Sequence, residues 1–161
     1  MRNGEERPVR RPSSRPSRPL PSGLAPALAV GRDAGLVNPS VLVAHQRAAM
    51  GRLLRLNLEL EGVTVAEAAT APECFRQLRA RAFAALVVDP EVFLDPRHEA
   101  ALGRAVRRLG LPVLVVADGP EHRRFALRLG NAPYSARPDA LDRLVAAVLA
   151  LIAGFSVPAV L

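Results

Sequence analysis

Reactive side chains in this 161-residue sequence stand directly behind apolar runs. "SVLVA" (40–44) is followed by His45 and Gln46, and "AALVV" (84–88) by Asp89. "LPVLVVA" (111–117) closes on Ala117 with Asp118 next, and "PYSA" (133–136) leads into Arg137. His45 with Asp89 and Glu91 makes one imidazole and two carboxylates, a set that suits a transition metal. No second histidine joins that set, so no metal centre is expected. A salt bridge between Asp89 and Arg137 is the plainer expectation. No run of glycines has dinucleotide-binding or P-loop spacing. All 22 basic residues are arginine, which removes Schiff-base and lysine phosphate-clamp chemistry. A single cysteine, Cys74, excludes an internal disulfide and a cysteine-based zinc site. It reads as a small helix residue that is buried or half-buried, not as a redox sensor.

The elements that must position these residues alternate regularly. Strands are predicted at 40–44, 63–68, 84–88, 111–117 and 133–136. Between them, Ala49, Leu53, Leu56 and Leu60 form an apolar helical stripe stopped by Gly62. A second helix, 71–81, is expected to bury Phe75, Leu78 and Ala82, with Pro72 near its start. The third, 97–109, sets Leu102, Ala105, Val106 and Leu109 on one face and leaves Arg104, Arg107 and Arg108 mostly off it. A fourth, 121–129, ends at Gly130. Asp139 is expected to cap a last helix that runs to about Ala153. His98 and His122 fall on predicted helices and read as solvated. Fully apolar strands joined by amphipathic helices imply a doubly wound α/β fold: a five-stranded parallel sheet with five helices covering both faces. Such folds place their sites at the carboxyl ends of the strands, where His45, Gln46, Asp89, Ala117 and Arg137 fall.

Three segments follow from composition: a tail over 1–39, a folded domain over 40–153 and an apolar tail over 154–161. "MRNGEERPVRRPSSRPSRPLPSG" is rich in arginine, proline and serine and should be disordered. It lacks the apolar stretch of an export signal, so a cytoplasmic location is expected. It reads as a linker or start-site extension, or else as a weak contact for anionic surfaces, nucleic acid included. Residues 1–40 hold seven arginines and three acids, a net +4 that leaves +3 of the total +7 for the rest. A mildly basic domain without interleaved aromatics gives no sign of specific nucleic-acid recognition. From Leu144 to Leu161 there is no charge, yet the first part is needed as the last helix and Gly154 and Pro158 interrupt the remainder. No membrane association is therefore expected.

Over residues 41–153 the chain resembles the receiver domain of bacterial two-component response regulators, the CheY-like variety of the flavodoxin-like fold. The resemblance is carried by "LLRLNLELEGVTVAEAATAPECFRQLRA", "ALVVDP", "LGLPVLVVADG" and "LGNAPYSARP", in that order and spacing. It implies that Asp89 stands where the family accepts a phosphoryl group from a histidine kinase. It also implies departures. The acidic pair that holds Mg²⁺ is replaced by His45 and Gln46, and an imidazole and a neutral amide are poor ligands for that hard cation. The hydroxyl at the fourth strand end is replaced by Ala117, and the lysine before the proline by Arg137. The switch aromatic is kept as Tyr134. Pro90 follows Asp89 directly, and the family's proline four residues later is missing. These changes predict an atypical, stand-alone receiver in signal transduction. It would be a pseudo-receiver, phosphorylation-independent and without a cofactor, that is no enzyme and works by protein–protein interaction. The alternative is a phosphorelay member that is phosphorylated on Asp89 with Mg²⁺, borrowing a carboxylate from Glu91 or Asp118.

The last helix is more apolar than one buried face requires. Leu144, Val148, Leu149, Leu151 and Ile152 are therefore expected to present an interaction face. The partner would be a second copy, a histidine kinase or another regulator, and homodimerisation through this helix agrees with the resemblance. No output domain is expected after residue 153.

Overall fold

A computed structural model describes residues 38–130, 133–134 and 141–154. Among these residues five strands, β1 (Ser40–Ala44), β2 (Thr64–Ala68), β3 (Ala85–Val88), β4 (Val113–Val116) and β5 (Pro133–Tyr134), form one parallel sheet in the order β2-β1-β3-β4-β5. Five helices connect and follow them: α1 (Ala48–Leu60), α2 (Ala71–Ala80), α3 (Pro96–Leu109), α4 (Pro120–Leu129) and α5 (Leu141–Ile152). The doubly wound α/β expectation is met. A 3₁₀ turn, Pro90–Phe93, adds an element between β3 and α3 that the apolar pattern did not announce.

Strand alternation sends neighbouring residues to opposite faces. Val41, Val43, Val87 and Leu114 pack beneath α1 and α5, against Leu54, Leu58, Leu144 and Val148. Leu42, Leu86, Val88 and Val115 face α2, α3 and α4, where Phe93, Leu102 and Phe125 fill the core. Gly62 and Gly130, the two expected helix stops, both adopt left-handed backbone, with φ of 79° each. The start of α2 is fixed by a reciprocal cap. The Glu73 backbone N–H donates to the Thr70 hydroxyl, and the Ala69 N–H donates to the Glu73 carboxylate.

Two helix faces differ from expectation. In α1 the stripe of Leu53, Leu56 and Leu60 points outward, with exposures of 44%, 58% and 84%, and Ala49 is exposed as well. Gly51, Leu54 and Leu58 meet the sheet instead. Leucines stand on both sides of this helix, and hydropathy alone cannot choose between two equally spaced rows. In α2 the buried row is Ala71, Cys74 and Leu78; Phe75 is half-buried, and Ala82 lies beyond the helix end and is exposed. Arg81 turns to extended backbone and ends the helix before Ala82 can join it. Cys74 is buried as expected, and burial pushes its thiol up to about 12. No helix among the described residues is long and apolar enough to cross a membrane.

Candidate functional site

Register brings the reactive strand ends together. Ala44 of β1 pairs with Val88 of β3 on one side and with Ala68 of β2 on the other. The ladder continues one step further: the His45 N–H donates to the Ala68 carbonyl at 3.0 Å and the Asp89 N–H to the Ala44 carbonyl at 2.8 Å. His45 and Asp89 thus leave adjacent strands side by side, with His45 Nδ1 3.2 Å from Asp89 Oδ2. The other Asp89 oxygen, Oδ1, accepts the Glu91 backbone N–H at 3.1 Å and so caps the 3₁₀ turn. Asp89 is 7% exposed and is the buried charged residue of the described chain.

Position 45 is chemically constrained. The Arg47 backbone N–H donates to His45 Nδ1 at 3.0 Å, the same nitrogen that faces Asp89. Nδ1 accepts from Arg47 only when it carries no proton, and donates to Asp89 only when it carries one. One proton therefore selects between the two contacts. Burial disfavours the imidazolium and holds the His45 pKa below its ordinary value of 6.5, against the smaller opposing pull of Asp89; Arg47 pushes the same way as burial.

The pair lines a small cleft of about 120 Å³ whose rim includes Glu91, Asp118, His122 and Arg47, with Val116, Leu141 and Leu144 behind. His122, expected to be solvated, is half-buried here, and its Nδ1 accepts the Asp118 backbone N–H at 3.1 Å. The signal available for it was its place four residues after Asp118, one turn into a helix that starts at a strand end. His98 is half-buried too, with its ring 6.2 Å from that of Phe75.

The remaining site residues divide. Gln46 is exposed and does not join the cleft. Ala117 is buried at the end of β4. Tyr134 lies on β5, paired with Val116. Arg137, the expected Asp89 partner, lies outside the described residues, as do the cap at Asp139, residues 1–37 and the tail after Gly154. Within the described residues it is His45 that faces Asp89. Leu144 and Val148, counted among the interaction residues, are core: both are buried against the sheet, because they share the α5 face that meets Val43 and Val87. Leu149, Leu151 and Ile152 are half-buried against the same cluster.

No family model and no curated protein matches this sequence. Solved structures do. A CheY-like response regulator receiver domain protein from Methanospirillum hungatei is 22% identical, with a TM-score of 0.62 over 73% of this chain and 95% of that one. An orphan response regulator of H. pylori is 20% identical, with a TM-score of 0.59 over 71% of this chain and 96% of its own. A sensor protein from Polaromonas is 25% identical, with a TM-score of 0.61 over 72% and 97%. The fold is that of a response-regulator receiver domain.

The Mg²⁺ that the receiver fold implies can be tested against the donors present. A hard cation demands oxygen ligands in octahedral array. At the β1 end this receiver fold offers an imidazole nitrogen beside Asp89, and the neighbouring amide of Gln46 points away to solvent. Among the described residues no three His, Cys, Asp or Glu side chains are arranged to hold a metal ion. The donor set does not fit Mg²⁺.

Proposed function

We propose that this chain is a pseudo-receiver that signals by binding another protein and does not take a phosphoryl group on Asp89. The observation that carries this reading is the His45–Asp89 contact. One carboxylate oxygen of Asp89 is faced at 3.2 Å by an imidazole, and the other accepts the Glu91 N–H. Phosphoryl transfer onto a carboxylate needs a cation to offset the charge, and the β1 end supplies no carboxylate to hold one. Ala117 has no hydroxyl to offer at the end of β4. The module then works without cofactor or catalysis, and its partner is a second copy, a histidine kinase or another regulator.

Its apolar surplus supports partner binding, with the surplus on α1 as well as on α5. Leu53, Leu56 and Leu60 line the outer face of α1, and the groove between α1 and α5 is lined by Leu60, Val145 and Leu149. Homodimerisation through α5 would draw on Leu149, Leu151 and Ile152. A second reading, phosphorylation on Asp89 with Mg²⁺, is favoured by one observation: Glu91 and Asp118 rim the same cleft as Asp89.

Intact-mass spectrometry after incubation with acetyl phosphate and Mg²⁺, on wild type and Asp89→Asn, separates the two. The pseudo-receiver reading expects no phosphoryl adduct on either protein. An adduct on the wild type that Asp89→Asn abolishes would overturn it.

A further inference from the structure

Away from the strand ends, α2 and α3 enclose an open groove of about 530 Å³ whose chemistry the receiver reading leaves unused. Its apolar lining includes Phe75, Leu78 and Leu109, and its charged lining is Arg79, Arg104 and Arg108. Leu109 is 48% exposed and Phe75 is half-buried, so apolar surface is open to a ligand. Among the described residues no carboxylate lines the groove. The three guanidiniums enter none of the ion pairs among the described residues, whereas Arg55, Arg76, Arg124 and Arg128 each meet a glutamate. The arginine stems add apolar wall, and their planar forks match carboxylates.

We infer that this groove docks an acidic amphipathic helix of a partner protein, with apolar side chains seated on Phe75, Leu78 and Leu109 and carboxylates meeting the three arginines. An apolar floor beneath guanidiniums that meet no carboxylate among the described residues fits the recognition of a helix laid in a groove, where spaced anchors fill the floor and flanking charges set orientation. Neither flanking segment of the sequence reads as such a ligand. Residues 1–40 carry a net +4, and residues 155–161 carry no acid. A second copy is a poor occupant, since each carries a net +7 and the groove needs negative charge. A nucleic-acid backbone would satisfy the arginines and leave the apolar floor bare.

The probe is a fluorescein-labelled synthetic helix with leucines at i, i+3 and i+7 and glutamates beside them, titrated by anisotropy with the full chain. Saturable binding is expected, weakening as salt rises. A peptide with the leucines changed to serine and one with the glutamates changed to lysine are each expected to bind at least about tenfold more weakly. The double variant Arg104→Glu/Arg108→Glu, at exposed positions and checked for folding by circular dichroism, is expected to lose a similar factor of about ten or more. Leu109→Ser provides a second variant that leaves the charges intact, and it too should weaken binding. Absence of binding, equal binding of the serine peptide, or unchanged binding by both variants would overturn the inference. So would capture of the protein by phosphatidylserine vesicles with no binding of the peptide, which would make the surface a membrane contact.

Discussion

Two polar regions of this molecule differ in how their charges are answered. At the carboxyl ends of β1 and β3, Asp89 is buried and both of its oxygens face groups of the chain itself, the Glu91 N–H and His45 Nδ1. Between α2 and α3, three guanidiniums stand around exposed apolar surface with no carboxylate beside them among the described residues. The first region is closed on itself and the second is open. A buried carboxylate is held by neighbours inside the fold, here the Glu91 N–H and, once His45 is protonated, its Nδ1, whereas an exposed arginine costs little to leave for a partner. The charge at the strand ends is thus engaged by the chain's own groups, while the charges between α2 and α3 face outward.

One residue links the two regions, and removing it should have the largest effect. Phe93 sits in the 3₁₀ turn that Asp89 caps, is 1% exposed, and packs edge-on against Phe75, with ring centroids 6.0 Å apart. Phe93→Ala is expected to cost about 3–5 kcal/mol in urea unfolding, by loss of buried area plus the cavity left behind. The same substitution should disturb the groove through Phe75, visible as amide shifts on α2 in heteronuclear spectra.

The closed site can be opened by one change. His45→Asp would set a second carboxylate beside Asp89, and mutual repulsion should lower the melting temperature in metal-free buffer. Mg²⁺ should then restore it, by about 2.7 kcal/mol at a hundredfold excess over the dissociation constant. Wild type should show no such response to Mg²⁺. A Mg²⁺-dependent rise in wild type would mean that the site holds the cation despite its imidazole.

A smaller effect is expected from acid. The folded pKa of His45 lies below its unfolded value of 6.5, so the unfolded chain takes up the proton first as pH falls. The contribution of neutral His45 is fully present above pH 6.5 and is lost as pH falls through the folded pKa. Unfolding midpoints measured on either side of pH 6.5 should show this decline in wild type and not in His45→Gln. Over the same range the proton should move Nδ1 from Arg47 to Asp89, a change visible in the imidazole nitrogen shifts.

The smallest effect should come from the open region. Arg108→Ala removes an exposed charge that has no ion-pair partner among the described residues, and its change in stability should stay within about 0.5 kcal/mol by denaturant titration. A larger loss would show that Arg108 already serves the fold, and the contrast between the two regions would narrow.

Much of the architecture was legible in single runs of sequence. "SVLVA", "AALVV" and "LPVLVVA" are apolar on both faces, which only a sheet covered twice requires, and the glycines at 62 and 130 mark helix stops. Asp89 at a strand end was legible for the same reason. The phase of α1 was not. Leu53, Leu54, Leu56, Leu58 and Leu60 offer two apolar rows, and the path of the chain from β1 decides that Leu54 and Leu58 go under. Nor was the role of His122, which reaches the cleft from α4 only because β4 lies beside β3.

Local pattern alone determined the alternation of strands and helices, the absence of lysine and internal disulfide chemistry, and a histidine and an amide behind the first strand. Those properties depend on residue identity and near-neighbour spacing, which any stretch of chain carries by itself. Tertiary structure decided that His45 turns toward Asp89 while Gln46 turns to solvent, that Leu144 and Val148 belong to the core, and that Arg79 of one helix joins Arg104 and Arg108 of another around one groove. Each of these is a meeting of residues distant in sequence. Strand order, register and helix rotation bring them together, because the packing of whole faces, and not the preference of any one residue, sets which side chains share a neighbourhood.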